Sequence, residues 1–134
     1  IQEMPMPRTA ITGDIPVSHL PFSPAVAAGP FVFVSGQASV SDTGQILLGT
    51  FAEEFARSFD HVRRILAAAG CTMDDVVRVT SYVAKEEYLA EYNRLYRELF
   101  QQPLPARTTL VGCLGTDSIK FEVDVIAYRE TSAG

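Results

Sequence analysis

The chain has 134 residues, of which 47% are hydrophobic and 20% charged, and a formal net charge of −5. This apolar content rules out a disordered chain and suffices for the core of one domain over residues 1–134, with 1–20 as an irregular N-terminal segment. The acidic balance opposes binding to nucleic acid, because basic residues gather only in short pairs such as Arg63-Arg64.

Cys71 and Cys113 have no second Cys or His at ligand spacing, so they read as reduced small hydrophobes rather than a disulfide or a metal site. No window approaches the ~18 apolar residues of a membrane span, and no signal-type apolar region opens the chain. A cytoplasmic protein that binds no membrane is expected. Because Ile1 is not an initiator methionine, Met4 and Met6 are candidate starts.

Prolines at 5, 7, 16, 21 and 24 limit the first 24 residues to extended segments and short edge strands, one of them near Thr9 to Thr12. Pro21 to Val26 is a rigid apolar segment suited to the rim of a pocket or to leading into the next strand. Phe31 to Ser39 begins Phe-Val-Phe-Val, apolar on both faces, and so needs cover on both. Gly36, inside that run, marks a bulge or a close approach. Asp42 to Gln45 is a hairpin turn leading to a short strand over Ile46 to Leu48.

Thr50 with Glu53 forms a capping box, and Gly70 sits at a helix C-terminus. Between them Phe51, Phe55, Phe59, Val62, Leu66 and Ala69 make one helical stripe, which is core. His61 lies off that stripe and is expected at the surface. Asp74 to Ala84 reads as a strand, and Glu86 to Phe100 as a second amphipathic helix through Leu89, Tyr92, Tyr96 and Leu99 or Phe100. Asn93 stands beside that stripe, either solvated or tethering a ligand. Pro103 and Pro105 stop the helix, Thr108 to Cys113 forms a strand, and Phe121 to Ala127 alternates as a two-faced strand.

Strands, helix, strand, helix and two strands make an α+β sandwich in which two helices cover one face of one sheet. Burying the other face calls for a second copy of the chain, so a homo-oligomer is expected. Glu122 and Asp124 share the parity opposite to Phe121, Val123 and Val125, and therefore face that contact.

Phosphate loops, nucleophile elbows and paired metal-ligand motifs are missing, and no cofactor is expected. The candidate chemistry is Arg107, whose guanidinium can grip a carboxylate through two parallel hydrogen bonds, with Glu122 on the neighbouring strand to hold or deprotonate water. An Arg and a Glu on adjacent strands also form an ordinary cross-strand ion pair, and spacing leaves both readings open.

Pro21 to Val26, Phe33-Val34-Ser35-Gly36-Gln37, Ala67 to Gly70, Asp75 to Thr80, Asn93-x-x-Tyr96, Pro105-Ala106-Arg107 and Phe121-Glu122-Val123-Asp124-x-Ile126-Ala127 follow in an order that resembles the Rid family, the YjgF-type reactive-intermediate deaminases. The resemblance runs from about residue 20 to 128. It implies a chorismate-mutase-like mixed sheet with two helices packed on one face, and a homotrimer with three clefts between subunits. It also implies cofactor-independent hydrolysis of 2-imino or 2-enamine acids, such as 2-aminoacrylate, to 2-keto acids and ammonia. By position, Arg107 clamps the substrate carboxylate and Glu122 manages water and protons, while Phe22, Ser35, Gly36, Asn93 and Thr109 line the pocket.

The chain departs from the pattern at several positions. Phe22 replaces a frequent Tyr and removes a phenol, Thr109 replaces a Cys found in some members, and Asp124 stands where Glu is common. The segment between Asn93 and Arg107 is shorter than in some relatives. Two rival readings accompany the deaminase: a non-catalytic sensor of 2-keto acids in the same cleft, and an RNA-directed activity, which the acidic charge disfavours.

Overall fold

The computed structural model describes residues 6–116 and 118–130, so the candidate start at Met4 lies outside the described residues. Six strands form one mixed sheet: β1 (Thr9–Ala10), β2 (Ala25–Ala28), β3 (Phe31–Ala38), β4 (Val76–Val83), β5 (Ala106–Val111) and β6 (Phe121–Tyr128). Their spatial order is β1-β2-β3-β6-β4-β5, with β4 and β5 parallel and all other neighbours antiparallel. Two helices, α1 (Phe51–Ala68) and α2 (Leu89–Leu99), lie on one face.

Local chemistry sets the limits of α1. The Glu53 amide donates to Thr50 Oγ1 at 3.2 Å and the Thr50 amide donates to Glu53 Oε1 at 2.9 Å, closing the capping box. At the other end Gly70 takes φ 80°, and the amides of Gly70 and Cys71 donate to the carbonyls of Ala67 and Leu66. This pairing satisfies carbonyls that the helix leaves open, and the left-handed turn favours glycine.

The α1 stripe is buried as expected, against Val32, Val34, Val123 and Val125 of the central strands. Phe121 locks both helices to the sheet, with its ring 5.0 Å from Phe55 and 5.8 Å from Tyr92. Burying such rings is worth about 1.5–3 kcal/mol each. A second flank of α1 is buried too. Glu54 accepts from the Lys120 amide at 2.9 Å and pairs with Lys120 Nζ at 3.1 Å, tying the lead into β6 to the helix.

His61 is buried rather than exposed. Arg57 donates to Ser39 and Leu47, and Arg64 pairs with Asp42 at 2.9 Å, so the segment 39–47 is strapped along the flank that carries His61. Burial, then the charge of Arg64, lowers the imidazole pKa.

Three further details differ from the periodicity. The expected strand over Ile46 to Leu48 is reduced to an isolated bridge between Val40 and Ile46, because the segment bonds back to Ser39 and α1 instead of pairing along its length. A 3-10 turn at Met73–Asp75 precedes β4, and another at Glu86–Tyr88 precedes α2. Ala25–Ala28 is a strand in its own right, its small residues paired with Phe31 to Val34. Among the described residues no helix is long and apolar enough to cross a membrane.

Among the described residues the other sheet face has no helix over it. Phe31 and Phe33 project there, 40% and 41% exposed, while Val32 and Val34 of the same strand are buried beneath α1. Tyr128 lies edge-on to Phe31 at 5.6 Å and extends the apolar surface.

Candidate active site

Arg107 stands on β5, in register with the buried Val79 of β4, and so points to the helix side of the sheet. Its guanidinium carbon lies 4.9 Å from the Tyr92 ring centroid and 4.8 Å from that of Tyr96. Two aromatic faces thus support the cation without neutralising it. Among the described residues Arg107 makes no ion pair.

Asn93, Tyr96, Leu104 and Pro105 surround it in a cleft of about 220 Å³. Thr109, two residues along β5, donates to the Tyr92 hydroxyl at 3.3 Å, which in turn donates to the buried Ser81 at 2.6 Å. The Tyr96 hydroxyl is buried and has no partner among the described residues. Burial is the main cause that pushes its pKa up to about 12, with the Arg107 charge opposing. Tyr92 and Tyr96 were legible in the sequence only as members of the α2 stripe; their four-residue spacing is what lays both rings under one cation.

Glu122 occupies different ground. Its neighbours Phe121 and Val123 are buried under the helices, so its side chain lies on the uncovered face. The expectation that Arg107 and Glu122 sit on neighbouring strands is corrected: β4 runs between β5 and β6, and the two side chains occupy opposite faces. A cross-strand ion pair between them is therefore impossible within one chain. Although β5 and β6 are consecutive in the chain, β5 pairs parallel to β4 and not with β6.

On the uncovered face Glu122 is flanked by the irregularity of β3, where the register with β6 shifts between Val34 and Gln37. A Cβ on Gly36 would come within 2.6 Å of Glu122 Oε1, so glycine leaves the room in which the carboxylate lies. The hydroxyl of Ser35 donates to the Ser23 carbonyl at 2.6 Å, anchoring the segment that carries Phe22. Phe22, Ser23, Phe33 and Ser35 line a cavity of about 570 Å³.

Glu122 is half-buried, and burial first, then the charge of Asp124, raises its pKa. Asp124 accepts from the Tyr82 hydroxyl at 2.8 Å; this bond is the leading cause that pushes the Tyr82 pKa up to about 12. The candidate residues thus fall into two groups: Arg107, Asn93 and Thr109 on the helix side, and Phe22, Ser35, Gly36 and Glu122 on the uncovered face.

A family model described as endoribonuclease L-PSP matches residues 12–129. The chain belongs to the Rid/YjgF/L-PSP family. Its relatives include a RutC family protein of Pyrococcus horikoshii, 31% identical over 126 residues that cover 93% of this chain and all of that one. A 2-iminobutanoate/2-iminopropanoate deaminase of Dermatophagoides farinae is 32% identical over 111 residues, 82% of this chain and 87% of its own. The crystal structure of E. coli TdcF with bound serine superposes with a TM-score of 0.80 at 27% identity, covering 91% of this chain and 99% of TdcF. The mixed sheet with two helices is therefore the Rid fold.

Proposed function

We propose that this Rid protein hydrolyses reactive 2-imino or 2-enamine acids to 2-keto acids and ammonia, without a cofactor, in clefts formed between copies of the chain in a homotrimer. The observation that carries the reading is the guanidinium of Arg107, held on the faces of Tyr92 and Tyr96 with no ion pair among the described residues. Such a cation, supported but not neutralised, is suited to a carboxylate ligand. The deaminase relatives at about 30% identity support the same chemistry.

Arg107 and Glu122 occupy opposite faces of the sheet. One chain cannot bring both to one small substrate, so the two groups meet when the uncovered face of one copy abuts the β5 edge of another. The exposed rings of Phe31, Phe33 and Tyr128 give that contact its apolar area.

In the cleft Arg107 grips the substrate carboxylate and fixes the imine carbon. Glu122 takes a proton from water as the oxygen bonds to the carbon of the protonated imine, whose nitrogen becomes a neutral amine. The same carboxyl then gives that proton to the nitrogen, the carbon–nitrogen bond breaks as the carbonyl forms, and Glu122 takes the hydroxyl proton and passes it to the departing ammonia, which leaves as ammonium. A raised pKa lets Glu122 work as both acceptor and donor nearer neutral pH. The imine carbon is already electrophilic, so positioning and one proton shuttle suffice.

The test couples the protein to an enzyme that releases 2-aminoacrylate or a 2-imino acid and follows the 2-keto acid. Acceleration by the wild type and its loss in Arg107→Ala are expected; no acceleration, or an undiminished rate in Arg107→Ala, would sink the proposal. Binding of 2-keto acids that depends on Arg107, without turnover, would instead identify a sensor.

A further inference from the structure

The cavity beside Ser35 has one charged side chain in its wall, and no feature of the deaminase reaction proposed above uses it. Arg8 lines that cavity together with Phe22, Val26, Phe33 and Ser35. Its backbone is set by β1, where the next residue, Thr9, pairs with Ala27 of β2, and the Ile11 amide bonds the Ala25 carbonyl at 3.0 Å. Among the described residues Arg8 makes no ion pair. The cavity is otherwise apolar or neutral, and Gly36, the residue that follows Ser35 of its wall, is the one against which the Glu122 carboxylate lies.

We infer that Arg8 is a specificity-determining residue of the cleft that takes a distal carboxylate, so that the preferred substrates are dicarboxylic 2-imino acids. This rests on the function proposed above. A 2-imino acid offers its first carboxylate to Arg107 and its imine carbon to the water at Glu122. Whatever the third substituent of that carbon carries extends beyond Glu122, and the cavity with Arg8 in its wall is the adjoining space on that face. A simple alkyl group would meet the rings of Phe22 and Phe33 and leave the cation unused. A second carboxylate one or two carbons further on would pair with it, a charge-assisted contact in a partly screened site. Phe22 fits the same reading: it offers an apolar wall without a hydroxyl to compete for the guanidinium.

The experiment generates a monocarboxylic and a dicarboxylic 2-imino acid in place, by enzymatic oxidation of alanine and of aspartate, and measures kcat/KM for each. Wild type should favour the dicarboxylic imine, and Arg8→Ala should reduce the ratio of the two kcat/KM values about tenfold, the scale of one charged contact. Arg8→Lys should recover part of that ratio, which a merely structural role would not predict. A ratio unmoved by Arg8→Ala, with the monocarboxylic imine hydrolysed normally, overturns the role of Arg8 and leaves the deaminase standing. If neither imine is hydrolysed, the deaminase fails, and calorimetry still judges Arg8. 2-Oxoglutarate should bind more tightly than 2-oxobutanoate to wild type and lose that advantage in Arg8→Ala, and equal binding would overturn the inference.

Discussion

Arg107 and Glu122 lie on opposite faces of one sheet, and each is kept available by a different device. The cation rests on two tyrosine rings at the open edge strand, where its charge stays exposed to a ligand. The carboxylate lies over a glycine in an irregular strand, half-buried and next to a second acid, so its charged form is disfavoured. The difference teaches that neither group alone would complete the proposed site: the cation has no proton carrier beside it, and the carboxyl has no anchor for a substrate beside it. Aromatic faces can support a guanidinium without consuming it, whereas a carboxyl is tuned by removing water and adding like charge.

The sharpest way to break this comparison is to separate the two groups genetically. Arg107→Ala and Glu122→Gln should each be inactive alone, by about 100-fold or more. Co-expressed, they should form mixed oligomers in which some clefts unite an intact Arg107 with an intact Glu122. Random mixing in a ring restores about a quarter of wild-type activity, since each cleft draws one group from each of two neighbours. Failure of mixed assemblies, confirmed by mass spectrometry, to regain any activity would mean that the groups do not meet between subunits.

Glu122→Gln also separates function from stability. A carboxyl whose folded pKa is raised contributes stability that is present below its unfolded pKa and is lost as pH rises through the folded value. Wild type is therefore penalised at neutral pH by this ionised group, and Glu122→Gln should melt higher there, with the gap closing toward acid. In activity, the rising limb of the wild-type pH profile should lie above the ordinary carboxylate range and vanish in the variant. A lower melting temperature for Glu122→Gln at neutral pH would show that the carboxylate is paired and not held in reserve.

Gly36→Ala probes the seat of that carboxylate without removing it. The new methyl would intrude on Oε1, and the carboxylate, at the end of a flexible side chain, would swing aside with the fold kept. A loss of about tenfold in kcat, with little change in melting temperature, is the scale of a misplaced proton carrier. An unchanged kcat would mean that the position of Glu122 is not fixed by β3.

Much of this was legible in the sequence because each feature rested on local chemistry. The Thr50–Glu53 box, the Gly70 terminus and the α1 stripe have the predicted form, and the parity of Glu122 against Phe121 and Val123 put it on the uncovered face. What stayed hidden depended on long-range packing. Nothing near Ala106 or Phe121 tells that β4 is inserted between β5 and β6. His61 is covered by a loop twenty residues upstream, held by Arg57 and Arg64, and helical periodicity has no access to such cover. β2 went unseen because Ala25–Ala28 is too short and too small in side chain to read as a strand; its register is supplied by Phe31 to Val34.

The platform under Arg107 yields the smallest effects and a contrast between its two tyrosines. The Tyr92 hydroxyl joins Thr109 to the buried Ser81, so Tyr92→Phe strands two partners and should cost about 1–2 kcal/mol in urea unfolding. The Tyr96 hydroxyl is buried and has no partner among the described residues, so Tyr96→Phe removes a desolvated group that gains nothing and should be neutral or slightly stabilising. Both variants keep the aromatic faces on which the guanidinium rests, and KM should rise in neither by more than about twofold, because the cation meets the ring and not the hydroxyl. Tyr96→Leu, which removes the ring itself, should raise KM by several-fold. If Tyr96→Phe raised KM as much as Tyr96→Leu, the phenol would be touching the substrate, and the helix-side group would hold a second polar contact besides its cation.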